Sequence, residues 1–408
     1  MLTFAYEAKE TATGKKVQSQ ITADSEQSAA KALRQQGLVP LELRPVDSDS
    51  LFSLDHYLKR ISTKDKVLFS RQLATLINAG LPLVQSLRNV ASQTTNKQFR
   101  IIINTIITDV EAGKPLSKAL SNYPRVFDVV FVNLVAAGET SGTLDVSLER
   151  IADQQEKQAE ILSKVRGAMA YPAIIVLVMI GVVGFMVLKV LPEVQKIYQG
   201  LGDNTQLPLV TRILLGVSNI TRKYWWIEII VVGIMLIFFT RWARTLSGKQ
   251  FFDKLKLKFP LFGPLFFKLY MARFARVGGT LIGSGVPLLQ VIDVTAKSIN
   301  NVHVAESLNK AAEKVRGGKA LSDALKNDPY FLDLVPNMLR IGEQSGQIEQ
   351  MMSKIADYYE KEVDNQIKTL SSVIEPFLMV ILGVVALIIV AAVLLPIYSL
   401  AGKDNLIK

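Results

Sequence analysis

FSRQLATLINAGLPLVQ, from Phe69 to Gln85, returns 205 positions later as FARVGGTLIGSGVPLLQ, from Phe274 to Gln290. The match extends outward through GKPLSKALSNYP (Gly113 to Pro124) and GKALSDALKNDP (Gly318 to Pro329). It then reaches GETSG (Gly138 to Gly142) and GEQSG (Gly342 to Gly346), where the offset has become 204, so one residue is lost between the copies. The new offset holds for Ile151-Ala152-Asp153 against Ile355-Ala356-Asp357, Pro172 against Pro376, and Pro192 against Pro396. Self-similarity of this length marks a duplicated unit. Each unit is a polar helical body followed by an apolar run.

Within the quoted stretch the period is helical. Asp65 to Ala79 carries an apolar stripe, broken at Gly80 and Pro82 and resumed from Leu83 to Ala91. Ser62 or Thr63 suits an N-cap, Gly80 a helix terminus and Pro82 the start of the next helix. Gly285 and Pro287 repeat this punctuation. Upstream, FAYEA, KKVQSQITA and LVPLELR have strand character, Ser25 to Gln36 reads as a helix stopped near Gly37, and Asp47 to Ser53 reads as a short polar linker. The expected fold is an all-α membrane protein: two homologous cytoplasmic domains resembling six-helix bundles, three transmembrane helices and a small N-terminal α/β region.

Gly167 to Leu188 and Phe377 to Leu395 carry no formal charge. Each is long enough to cross a hydrocarbon core of roughly 30 Å. Tyr224 to Thr240 is shorter and contains Glu228, which by hydropathy alone also suits a buried or interfacial helix. Its borders, Lys223, Tyr224, Trp225 and Trp226 at one end and Arg241, Trp242 and Arg244 at the other, form the interfacial pattern of a span. Two bodies on one side, each feeding a span at its C-terminal end, require the chain to return once between them, which three spans satisfy. Met1 to Ser50 is polar, so no cleavable signal is expected, and both bodies are expected in the cytoplasm. Basic residues at 241, 244, 249, 254, 256 and 258 favour holding the second body inside, although the loop Lys189 to Lys223 is also net basic.

The chain then divides as follows: residues 1–50, N-terminal cytoplasmic region; 51–65, linker and helix start; 66–166, first cytoplasmic domain; 167–189, first span; 190–222, external loop. Next come 223–241, second span; 242–270, cytoplasmic linker; 271–372, second cytoplasmic domain; 373–396, third span; and 397–408, external tail.

A net charge of +11 would suit nucleic acid, but much of it lies in membrane-proximal segments, where lipid contact and topology account for it more simply. With no cysteine and only His56 and His303, disulfides, thiolate catalysis and cysteine- or histidine-rich metal sites are not expected. Gly113-Lys114 and Gly318-Lys319 lack the spacing and preceding strand of a phosphate-binding loop. No nucleophile, base and metal arrangement is recognisable, so no catalytic residue and no cofactor is expected. A transporter would use the repeats and intramembrane acids, but the repeated mass is mostly soluble.

In GETSG and GEQSG small residues bracket an acid. One reading is a tight junction in which Glu or Ser caps the helix beginning near Leu144 or Ile348. The other is contact with a partner or ion through Gly138, Glu139 and Gly142 and their matches Gly342, Glu343 and Gly346. Glu228 and Glu375 lie within or beside apolar helices and call for a partner, structural anchoring being the simpler role. Pro172 and Pro376 occupy matching positions at the mouths of the first and third spans, where a helix start tolerates proline.

The arrangement resembles the bacterial type II secretion system F family, which includes the inner-membrane platform proteins of type IV pili and their competence relatives. The resemblance covers nearly the whole chain and rests on the paired AGLPL/SGVPL and GETSG/GEQSG signatures together with the spans. It implies a non-enzymatic platform coupling a cytoplasmic hexameric assembly ATPase to insertion or extraction of prepilin or pseudopilin. A retraction ATPase, other inner-membrane alignment proteins and further copies of the chain are the remaining implied partners. Pilus, secretion pseudopilus and competence system are not separated by these motifs.

Overall fold

The computed structural model describes residues 2–10, 16–23, 28, 30, 32–33, 38–45, 61–199, 209–260 and 262–404. The chain forms two compact units, Met1–Arg60 and Ile61–Lys408. In the first, strands β1 (Leu2–Glu10), β2 (Lys16–Ala23) and β3 (Leu38–Pro45) form an antiparallel sheet ordered β2-β1-β3, with a register irregularity between Glu7 and Ala8. Of the helix expected over Ser25 to Gln36, residues 28, 30, 32 and 33 are helical and the others lie outside the described residues, as does the linker Asp47 to Ser53.

The second unit is helical among its described residues. Its first body runs α1 (Thr63–Asn78), α2 (Leu83–Gln93), α3 (Lys97–Glu111), α4 (Leu116–Ser121), α5 (Val129–Ser141) and α6 (Leu144–Phe185). A π-helical stretch, Met186–Val190, leads into α7 (Leu191–Gln199), and α8 (Leu209–Arg244) and α9 (Leu246–Lys258) follow. The second body repeats the order as α10 (Gly263–Gly283), α11 (Leu288–Ser298), α12 (Val302–Arg316), α13 (Leu321–Leu325), α14 (Leu334–Ser345) and α15 (Ile348–Asp404).

Local chemistry sets these boundaries. Ser62 caps α1 through a reciprocal box with Asp65, Asn96 caps α3, and Asn301 caps α12. Gly80 and Gly285 turn the chain at φ +82 and +78°, and the following prolines stand at the N-caps of α2 and α11. The first core gathers Phe69, Phe99, Phe127 and Phe131, with Phe69 5.3 Å from Phe99 and 5.5 Å from Phe127. Burying each such ring contributes about 2 kcal/mol. Phe274 and Phe331, 5.2 Å apart, hold the matching place in the second core.

Among the described residues three helices are long and apolar enough to cross a membrane: Leu144–Lys196, Thr211–Arg244 and Ile348–Leu395. Few residues of their most hydrophobic windows are buried, 6%, 0% and 11%, which leaves these segments an apolar surface for lipid.

Three expectations change. Pro172 and Pro376 do not begin helices; they lie inside α6 (42 residues) and α15 (57 residues), so body and span share one rod. Each proline removes one N–H bond, to Ala168 and Ser372 respectively, a loss the flanking turns can absorb within a long helix. Residues 190–222 are not simply a loop, because α7 and the first turns of α8 lie there; Tyr224, at φ −121° and ψ 22°, kinks α8 where the sequence suggested its start. The segment 242–270 contains α9 and the beginning of α10. The π-stretch ends just before Pro192, whose ring would crowd the carbonyl of Leu188 in a regular α-helix.

Beyond the bodies, Thr211 Oγ1 donates to the Ala392 carbonyl (3.1 Å) and Ser218 Oγ to the Val187 carbonyl (2.6 Å). These bonds and the small cluster Leu191, Leu215 and Ala392 join the three apolar helices.

Candidate functional site

The paired signatures form corners between helices. Gly142 and Gly346 are left-handed C-caps at φ 74 and 71°, and the amides of Thr143 and Gln347 return to the carbonyls of Gly138 and Gly342 at 2.9 and 2.8 Å. Gly138 and Gly342 are buried where consecutive helices meet. A Cβ at Gly138 would stand 2.6 Å from Ser147 Oγ, and one at Gly342 would stand 3.0 Å from the Ile348 Cα.

The glutamates cap a different helix from the one the sequence suggested. Glu139 accepts from the backbone amides of Leu116 and Ser117, the latter at 3.1 Å. Glu343 accepts from the amides of Leu321 (2.7 Å) and Ser322 (3.2 Å) and from the Ser322 hydroxyl. These are the first turns of α4 and α13, whose N-caps, Pro115 and Ala320, have no side-chain acceptor. A carboxylate from a neighbouring helix supplies the missing cap and complements the helix dipole. Thr143, ahead of α6, makes no side-chain cap. Both acids are half-buried and committed inside the body, while Thr140, Ser141 and Gly142 and their matches Gln344, Ser345 and Gly346 are exposed at the tips.

A second repeated constellation went unread in the sequence. Arg71 on α1 clasps three carboxylates of α6: Glu149, Asp153 at 2.5 Å, and Glu156 through two bonds of 2.6 and 2.7 Å. Arg276 on α10 clasps Asp357 (2.6 Å) and, bidentately, Glu360 (2.9 and 2.8 Å) on α15. Hydrogen bonding to Arg71 holds the Glu156 carboxyl below its usual value, and bonding to Glu156 and Asp153 raises the Arg71 guanidinium. At Arg276 burial acts to lower the pKa, yet the bonds to Glu360 and Asp357 leave it raised. The signal was present: an arginine third in each quoted stretch, and an acid pair three residues apart after Ile-Ala in each long helix. Each clasp fixes the first helix of a body to the rod that enters a span.

The bodies also hold each other. Val277, Leu281, Val286, Val291 and Val294 of α10, α11 and their connection pack into the first body's core. Gln290 Nε2 donates to Asn133 Oδ1 at 2.9 Å, and Arg150 pairs with Glu349 at 3.3 Å. Lys164 of α6 bonds Asp364 of α15 at 2.6 Å, a contact that raises the lysine pKa.

The intramembrane candidates stay dispersed. Glu228 accepts from Thr221 at 3.2 Å, not from Lys223. Glu375 is exposed where α15 turns apolar, beside Pro376. Neither meets the other or Pro172 in a common site.

Such an arrangement can transmit displacement from bodies to spans, and its known likenesses agree in extent. The profile of the type II secretion system protein F matches residues 69–192 and 274–396, and that of its N-terminal domain matches 1–44. A type IV pilus assembly protein, PilC, of Thermus thermophilus is 37% identical over 98% of this chain and 99% of its own length. PilC of Myxococcus xanthus is 38% identical over 98% and 95%. Type II secretion system protein F of Vibrio cholerae is 33% identical over 98% of both chains. Duplicated bodies, long shared rods and these full-length matches agree: the chain belongs to the type II secretion system protein F family.

Proposed function

We propose that this chain is the non-enzymatic platform of type IV pilus assembly in the bacterial inner membrane, coupling a cytoplasmic assembly ATPase to the insertion or extraction of pilin. The observation that carries the reading is mechanical. In both copies one uninterrupted helix, α6 or α15, runs from a clasped body into an apolar span. Displacement of a body is therefore transmitted to helices in lipid without an intervening hinge loop. Identity to pilus assembly proteins runs from 31 to 38% and to secretion proteins from 32 to 33%, so the upper end of the range favours a pilus over a pseudopilus.

In this reading the two bodies are six-helix bundles on the cytoplasmic side, the N-terminal region is a small α/β docking module, and the C-terminus lies outside. The platform is a homo-oligomer and meets a retraction ATPase and inner-membrane alignment proteins through its cytoplasmic faces. Because Glu139 and Glu343 are engaged within the bodies, the corners would present their exposed tips to a partner. In-cell photocrosslinking from Thr140 and Gln344 should capture the assembly ATPase in cells that build pili. Normal pilus assembly after deletion of the gene would sink the reading.

A further inference from the structure

Between α6, α10 and α15 lies a cavity of about 460 Å³ whose walls are chiefly apolar, among them Ile161, Val165, Leu269, Val363 and Ile367. Four cations line it, Lys157, Lys256, Arg273 and Arg276, against one carboxylate, Glu360. Glu360 is taken by Arg276, Lys157 faces Glu160 at 3.7 Å, and Lys256 bonds Asp253 at 3.0 Å. Arg273 is different: among the described residues it has no hydrogen-bonded or ion-paired partner, and Asp128 acts on it only through space. Burial accordingly lowers its pKa. Arg273 is half-buried and turns an unpaired guanidinium to the cavity, a charge that an anion there would complete.

The other end of the cavity identifies the occupant. Ala168, Met169 and Ile374 line it at the levels where α6 and α15 turn apolar, so the cavity reaches the start of both apolar runs. Its occupant must carry an anionic group at one end and an apolar body continuous with the bilayer at the other. We propose that this cavity binds an anionic phospholipid, its phosphate on Arg273 with Lys157 and Lys256 nearby, and its acyl chains running between α6 and α15 into the membrane. A lipid held there would wedge the two rods at their cytoplasmic ends; arginine grips the phosphate, and the surrounding cations, which repel the ammonium of a zwitterionic headgroup, supply the selectivity.

The test uses the full chain purified in detergent, delipidated, and offered phosphatidylglycerol or phosphatidylcholine, with retained lipid read by native mass spectrometry. Wild type should retain phosphatidylglycerol about tenfold better, a preference lost in Arg273→Gln and kept in Lys223→Gln, which lies outside the cavity. Equal retention of the two lipids by wild type, or an undiminished preference in R273Q, would overturn the proposal. Lipid-free R273Q should melt no lower than wild type, since the substitution removes an uncompensated charge. A lower melting temperature would mean that Arg273 is paired within the protein, and would overturn it too. A photocrosslinker at Leu269 in phosphatidylglycerol-containing vesicles should yield a lipid adduct; a polypeptide adduct would instead assign the cavity to an acidic protein segment.

Discussion

The two bodies share a fold but not a surface. In the second, Val277, Val291 and Val294 are buried against the first body. The same positions of the first body hold Gln72, Ser86 and Asn89, and Gln72 is spent on a bond to Gln93. One copy's positions are an apolar interface with the other body, while the matching positions of the first body are polar, with Ser86 buried and Gln72 and Asn89 half-buried. The cores also differ in how they fill the same space. Leu73 faces the place of Leu148 in the first body; the second has Gly278 with Met352, and a Cβ at Gly278 would stand 2.4 Å from Met352 Cε. Leucine and methionine are nearly equal in volume, so the second pair is smaller by a leucine side chain, and the flexible Met352 lies over Gly278 where the first body has Leu73.

The most damaging way to break this asymmetry is to give the second body the first body's face. Val291→Ser with Val294→Asn should cost about 4 kcal/mol, from lost apolar burial and newly buried polar groups, and should separate the bodies. Spin-label distances between α5 and α11 would lengthen; unchanged distances would show the valines to be incidental. Next in size, Gly278→Leu imports the first body's residue opposite Met352 and should destabilise by about 3 kcal/mol through overpacking. Met352→Ala should restore part of the loss, which thermal unfolding of the double variant would reveal.

Smaller and more symmetric effects are expected at the corners. Glu139→Ala and Glu343→Ala should each cost about 1–2 kcal/mol and raise amide exchange chiefly in the first turn of α4 or α13. Faster exchange instead at the start of α6 or α15 would refute the capping assignment. The smallest effect is pH-dependent. Glu156 has a folded pKa below its ordinary value of 4.5, so its share of stability is present above that value and lost as pH falls through the folded pKa, while Arg71 stays charged. The carboxylates of this clasp are more than one-third exposed, so solvent screening keeps the contribution small. Melting curves of wild type and Arg71→Gln should converge below pH 4.5; a constant gap would contradict the linkage.

The lost residue is also explained by comparing copies. Leu134 and Gly138 are four apart in α5, whereas Leu339 and Gly342 are three apart in α14, and all four are buried. Separations of three and four both keep one helical face, so the deletion is absorbed without moving the corner. The shift appears at the other end: Asp128 is an extended N-cap bonded to Phe131 N at 2.9 Å, while Asp333 is αR and makes no side-chain cap.

The duplication, the helical period, the glycine-proline turns and the three apolar runs were legible because each depends on neighbours within a few residues or on composition along the chain. Continuity of body and span was not legible, since proline read locally marks a helix start, and only packing along the whole of α6 and α15 carries it through. Nor could the sequence pair Glu139 with Leu116, Arg71 with Glu156, or leave Arg273 alone beside an apolar cavity. Those relations join residues on different helices, and a carboxylate's or guanidinium's role is set by what the fold brings within hydrogen-bonding distance.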